Sequence, residues 1–311
     1  MRTGRARVGD VELAYDVFGT SGRPLVLVMG IATQRIFWDE RFCQRFVAAG
    51  FHVVRFDHRD VGESTRMSAR APSPVSSLVR RMLNQKIAAP YSLSDLADDV
   101  AGLIDALGWR DAHIFGSSLG AMVGQHLAFE RPHRVRSLTS ALSTPGARRY
   151  LPEPRALAAL FQRTPRTPEE AGQALERAFS VLGSPVWPPN NERLRRVGAQ
   201  MFERGSNPDG MLRQFTAVLA SGDRTPRLGE VRAPTLVIHG SADPMFSLSA
   251  GRAVARLIPN ATWLPVAGMA HDMPEPLWPM MVAAIARHAE RADRAYSSRS
   301  SDTVTVAPSS T

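Results

Sequence analysis

Ala112-His-Ile-Phe-Gly116-Ser-Ser-Leu-Gly120 reads as a short apolar strand, then Gly-x-Ser-x-Gly, with a helix rich in small residues opening at Leu119. A serine at the centre of such a strand-to-helix turn occupies strained backbone. Side chains at the flanking glycine positions would strike neighbouring elements, and the helix N-terminus points its positive end at an oxygen that becomes negative. Ser118, not Ser117, holds the central place. The pentapeptide alone is a common string; with this strand before it and this helix after it, it marks a nucleophile.

Upstream, Leu25-Val-Leu-Val-Met29 and Phe51-His-Val-Val-Arg-Phe56 are nearly continuous apolar runs, as strands covered on both faces require. Phe42, Phe46 and Val47 lie between them at helical spacing, and Val8 and Val11 flank a Gly9-Asp10 hairpin turn. Ser92-Leu-Ser-Asp95 starts a helix whose apolar face is Leu96, Val100, Leu103, Ile104 and Leu107, and Gly108 stops it. Downstream, a strand is expected over 135–142, then Thr235-Leu-Val-Ile-His239 and Ala261-Thr-Trp-Leu264, and a closing helix over 277–292. The alternation predicts an α/β fold with a mainly parallel, doubly wound sheet. Over 146–228 prolines and amphipathic helices replace strands, including the capping box Thr167-Pro-Glu-Glu170, which predicts a helical lid inserted between two parts of the core, 1–145 and 229–292. Its aromatic and methionine residues, Phe161, Phe179, Trp187, Met201, Phe202 and Phe215, are expected in helix packing more than in a pocket wall. The Ser/Thr-rich stretch 293–311 is expected to be disordered.

A serine hydroxyl needs a base, and of the eight histidines His271 is best placed, in a loop after the last strand and before the closing helix. His113 and His239 fall inside strands, His126 lies in the helix behind the turn, His58 in an early loop, and His52, His133 and His288 have no associated motif. The base needs a carboxylate, and Asp243 follows its strand in His239-Gly-Ser-Ala-Asp243-Pro, while residues 140–146 contain no acid. The backbone N–H groups of Ile31, after Gly30, and of Leu119 are the candidates for an oxyanion hole. Asp57 to Ser64 resembles an acid or metal cluster on paper but is expected to be a structural loop.

The stretches Leu27-Val-Met-Gly30, Phe37-Trp38-Asp39-Glu40, Phe51-His-Val-Val-Arg-Phe-Asp-His-Arg-Asp-Val-Gly62 and Ser64 resemble α/β-hydrolases of the aclacinomycin methylesterase type. The likeness spans 11–146 and 234–271; it implies the α/β-hydrolase fold, the triad Ser118, Asp243 and His271, and removal of a methyl group from a polyketide ester. The lid carries no such likeness, and 66–91 is longer than its counterpart. The expectation for this chain is therefore broader: an ester of a small hydrophobic molecule.

The chain has 311 residues, 44% hydrophobic and 22% charged, enough for one large core and an insertion in a soluble globular protein. Its formal charge of +9 comes from scattered arginines with no basic, aromatic-interleaved stripe, so nucleic acid is not expected as a partner. Asp10 and Glu12 interrupt any apolar leader, and no run reaches the length of a membrane span. Cys43 is the single cysteine, which excludes an intramolecular disulfide and points to a cytoplasmic setting. The expected partner is a small-molecule ester, with no metal or organic cofactor; nothing in the sequence signals an oligomeric state. The same triad would also serve a thioesterase, lactonase, amidase, carbon-carbon bond hydrolase or cofactor-free perhydrolase, and a non-catalytic hydrolase-fold binding protein is the reading of another class.

Overall fold

Strand β1 (Arg2–Val8) and strand β2 (Val11–Phe18) pair in antiparallel register from Arg2 opposite Val17 to Val8 opposite Val11, with Gly9 at φ +54° in the turn. In the computed structural model, which describes residues 1–302 and side chains through Ser297, this hairpin forms one edge of an eight-stranded sheet. Its other strands are β3 (Arg23–Val28), β4 (Phe51–Phe56), β5 (Ala112–Ser117), β6 (Val135–Ala141), β7 (Thr235–Gly240) and β8 (Thr262–Val266). The order is β1-β2-β4-β3-β5-β6-β7-β8, parallel from β4 onward.

Helices α1 (Glu40–Ala48), α2 (Pro74–Met82), α3 (Leu93–Ala106) and α4 (Leu119–Glu130) connect the first strands. Helices α5 (Pro154–Leu160), α6 (Pro168–Leu182), α7 (Asn191–Glu203), α8 (Pro208–Ser221) and α9 (Thr225–Leu228) form the insertion between β6 and β7; α10 (Leu248–Leu257) and α11 (Trp278–Asp302) complete the fold. Successive strand residues feed opposite cores. Val26, Val28, Ile114 and Val237 pack with α3, α4 and α10, whereas Leu25, Leu27, Phe115 and Ile238 pack with α1 and α11. This two-sided burial is why the strand sequences show no polar alternation.

Two expectations change. Helix α11 runs on to Asp302, past 292, because Asp293 pairs with Arg136 at 3.3 Å and Tyr296 lies under the Arg136 guanidinium at 4.6 Å; residues 303–311 of the expected tail lie outside the described residues. At α6 only half of the capping box forms: Thr167 accepts from the Glu170 N–H, while the Glu170 carboxylate turns back to the Arg166 N–H at 2.7 Å. The box at Ser92 and Asp95 is reciprocal, as read. Helix α2 went unread, although Ser73-Pro74 supplies its cap and first turn.

The 57–65 loop is framework. Asp57 is fully buried against Arg35, Arg59 holds Asp99 at 2.6 Å, and Asp60 takes both ends of Arg213 from α8 at 2.7 and 2.8 Å. No group of three or more His, Cys, Asp or Glu side chains among the described residues is arranged to hold a metal, and no helix there is long and apolar enough to cross a membrane.

Candidate active site

The parallel strands carry their loops to one edge of the sheet, the place where open α/β sheets bind ligands. At the end of β5, Ser118 has φ +55° and ψ −117°, a conformation costly for a residue with a side chain. Its backbone is bound on both sides: the N–H donates to Ala141 O at 2.9 Å, and the C=O accepts from Ala121 and Met122 N–H. The two flanking glycines explain how the turn closes. A Cβ on Gly116 would stand 2.3 Å from Gly120 O, and one on Gly120 would stand 2.0 Å from Val28 O. Helix α4 can therefore approach β3 only with glycine at 120.

Asp243 lies in the turn after β7 with its side chain fully buried. One oxygen accepts the Met245 and Phe246 N–H groups at 2.8 and 3.0 Å, and the other accepts from His271 Nδ1 at 2.9 Å. Burial alone would raise this carboxyl, but His271 and the backbone donors outweigh it and hold it below the usual carboxylate range. His271 Nε2 stands 3.0 Å from Ser118 Oγ. A carboxylate only accepts, so Nδ1 carries the proton in neutral His271 and Nε2 presents its lone pair to the serine hydroxyl. The three side chains chosen from sequence form one hydrogen-bonded line.

Ile31 and Leu119 line the same cavity as Ser118 and His271. Leu119 opens α4, so its N–H has no partner within the helix. Gly30 backs directly onto Ser118, where an added Cβ would sit 3.5 Å from the serine Cβ. Two residues on, Ala32 is fixed at φ +52° with its N–H donated to Gln214 Oε1 of α8 at 2.7 Å.

Several supporting residues were not found from sequence. His239 Nε2 stands 2.8 Å from Phe246 O and 3.5 Å from Asp243. Its ring packs where Gly251 has no side chain. His58 is buried under the same edge with Nε2 at 3.1 Å from Met29 O. Ser184, just past α6, accepts the Ala270 N–H at 2.9 Å and donates to Asp272, while the His271 N–H donates to Leu182 O at 2.9 Å. These contacts join residues 86 to 88 positions apart, or 89 for Leu182 and His271, and no local motif announces them.

A cavity of about 320 Å³ opens at Ser118, lined by Ile31, Leu119, Met122, Phe215, Met245, Phe246 and His271. A larger one, about 740 Å³, reaches His271 and Ser117 but not Ser118. The smaller cavity includes Ser118 together with Ile31 and Leu119. The insertion's aromatic and methionine residues also border cavities: Phe215, itself buried, the first, Phe179 and Trp187 the second, and Met201 and Phe202 a third. Phe161 is 36% exposed and meets Phe215 edge to face.

The family described by the α/β hydrolase fold matches residues 23–275. The chain belongs to the α/β-hydrolase family. It is 27% identical over 289 residues to the rhodomycin D methylesterase DnrP of Streptomyces peucetius, covering 86% of this chain and 91% of that one. It is 29% identical over 259 residues to a RutD protein of Azorhizobium caulinodans named for carbamate hydrolysis, covering 82% and 86%. Among solved structures, the meta-cleavage product hydrolase of Pseudomonas fluorescens IP01 superposes with a TM-score of 0.72 at 18% identity, over 93% of this chain and 98% of that one, which speaks to the fold alone. The α/β-hydrolase frame thus accounts for both the sheet order and the strained serine turn.

Proposed function

We propose that this α/β-hydrolase cleaves a carboxylic ester of a small, largely apolar molecule through an acyl-enzyme on Ser118. The observation that carries the reading is the line from Asp243 to His271 to Ser118, at 2.9 and 3.0 Å, ending at an apolar cavity. His271 Nε2 takes the hydroxyl proton as Ser118 Oγ attacks the ester carbon, and the Ile31 and Leu119 N–H groups hold the oxyanion. His271 then protonates the departing alkoxide, which leaves as the alcohol. Water, deprotonated by His271, adds to the acyl-enzyme, and His271 returns that proton to Ser118 Oγ as the bond to it breaks and the acid leaves. Relatives named for methyl ester and carbamate hydrolysis support a carbonyl substrate with an oxygen or nitrogen leaving group. The insertion acts as the lid over this site, and the lone buried Cys43 suits a reducing cytoplasm.

The test is labelling by a fluorophosphonate, located by mass spectrometry, in the parent protein and in Ser118→Ala. Label on Ser118 in the parent and none in the variant is expected. Equal labelling of both, or hydrolysis of p-nitrophenyl esters retained in Ser118→Ala at the parental rate, would remove Ser118 as nucleophile.

A further inference from the structure

The walls of the Ser118 cavity contain three arginines, Arg81, Arg148 and Arg224, and no Asp or Glu. Arg224 is the most unusual of them. It is 2% exposed, and among the described residues no carboxylate lies within ion-pair distance of it. Neutral oxygens hold it instead: Gln125 Oε1 at 3.0 Å, Thr144 O at 2.8 Å and Gly222 O at 3.4 Å. These use three of its five N–H groups. Burial, partly offset by Asp223, pulls its pKa down to about 10, and Arg81 pulls the same way, so it remains a cation at neutral pH. A buried cation without a counter-ion is expensive unless something supplies the opposite charge.

Arg81 reaches the same cavity from α2 and donates to Gly146 O at 2.8 Å. Asp223 acts on both arginines electrostatically but does not line the cavity, and its carboxylate accepts the Thr225 N–H at 2.9 Å. An apolar, low-dielectric cleft edged by cations concentrates positive potential inside it. Gln125, which orients Arg224, lies seven residues along α4 from Ser118, roughly 10 Å of helix axis at 1.5 Å per residue. The charge is thus separated from the reacting serine by apolar wall: Leu119, Met122, Leu157 and Val218.

We propose that the ester cleaved here carries a carboxylate at the end of its acyl chain remote from the scissile bond, bound by Arg81 and Arg224 across an apolar spacer. This rests on Ser118 being the nucleophile. Binding supplies the counter-ion that Arg224 lacks, and a fork of guanidinium N–H groups suits a carboxylate better than any neutral group.

The experiment compares kcat/KM for the mono-p-nitrophenyl ester of octanedioic acid with that for p-nitrophenyl octanoate, which differs only in lacking the terminal carboxylate. The acidic ester is expected to be preferred by about tenfold or more, the scale of one charge-assisted contact. Arg224→Gln removes interior hydrogen bonds and is expected to lower folded yield, so Arg81→Gln carries the test. The acidic-to-neutral ratio should fall about tenfold in it and be partly restored in Arg81→Lys. Equal or better turnover of the neutral ester, or an unchanged ratio in Arg81→Gln, overturns the inference and leaves the nucleophile standing if Ser118 still takes the fluorophosphonate. Absence of that label removes the nucleophile reading, and this inference with it.

Discussion

At Asp243 the two carboxylate oxygens are divided between two tasks, one holding the turn through Met245 and Phe246 and the other holding His271. Asp243→Asn separates them. The amide oxygen can still accept the two turn N–H groups, but an NH₂ then faces Nδ1 and favours the other imidazole tautomer. We expect kcat for p-nitrophenyl esters to fall by about 10³ to 10⁴-fold. The melting midpoint should drop far less than in Asp243→Ala, which loses the turn acceptor as well; circular dichroism on the two variants compares them. A large activity loss in Asp243→Ala with none in Asp243→Asn would mean the carboxylate charge is irrelevant to His271. These three side chains were legible in sequence because each sits beside its own turn signal: the two glycines around Ser118, Gly240 and Pro244 around Asp243, and Gly268 before His271. His58, His239 and Ser184 carry no such punctuation. Their roles come from partners brought close only by the folded sheet.

At the scale of elements, the contact of α4 with β3 depends on one missing methyl group. In Gly120→Ala the new Cβ would meet the Val28 carbonyl, backbone on both sides, so neither element can yield by rotating a side chain. We expect a loss of about 1 to 3 kcal/mol in urea unfolding and a disproportionate loss of activity, because the Leu119 N–H moves with the helix. A second prediction concerns the tie between α8 and the loop after β4. Asp60→Asn leaves the Arg213 guanidinium buried without its bidentate partner, and about 3 to 5 kcal/mol should be lost. The double variant Asp60→Asn, Arg213→Met, which keeps at position 60 a residue that tolerates φ +70°, should recover part of it; no recovery would show that the pair contributes more than mutual charge compensation. Elements with an internal period and a cap, such as α3, were read correctly from sequence. Helix α2 is missed although Val75, Leu78, Val79 and Met82 stand at helical spacing after Ser73-Pro74; in the fold Val75, Val79 and Met82 are exposed.

For the whole molecule, the buried histidines set the response to acid. Burial pushes His58 and His288 from the ordinary value of 6.5 down to about 4, and His126, paired with Glu130, behaves alike. The folded state thus refuses protons that the unfolded chain accepts. Each histidine leaves stability intact above pH 6.5 and withdraws it as pH falls from 6.5 toward 4. Melting midpoints across that interval should fall well before Asp243 or Glu63, whose carboxyls are held low, begin to protonate. His58→Gln should flatten part of the slope; a midpoint independent of pH through the whole interval would contradict the burial of these rings.

The helical insertion is fastened to the loop that carries His271 through Leu182, Ser184 and Asp272. For a protein engineer this makes the insertion a poor exchangeable cartridge. A specificity graft from a relative that replaces α6 and its following turn, without matching side chains at 184 and 272, would leave the donor's pocket above a His271 loop no longer held in place. Chimaeras should be cut so that both halves of this clasp come from the same parent.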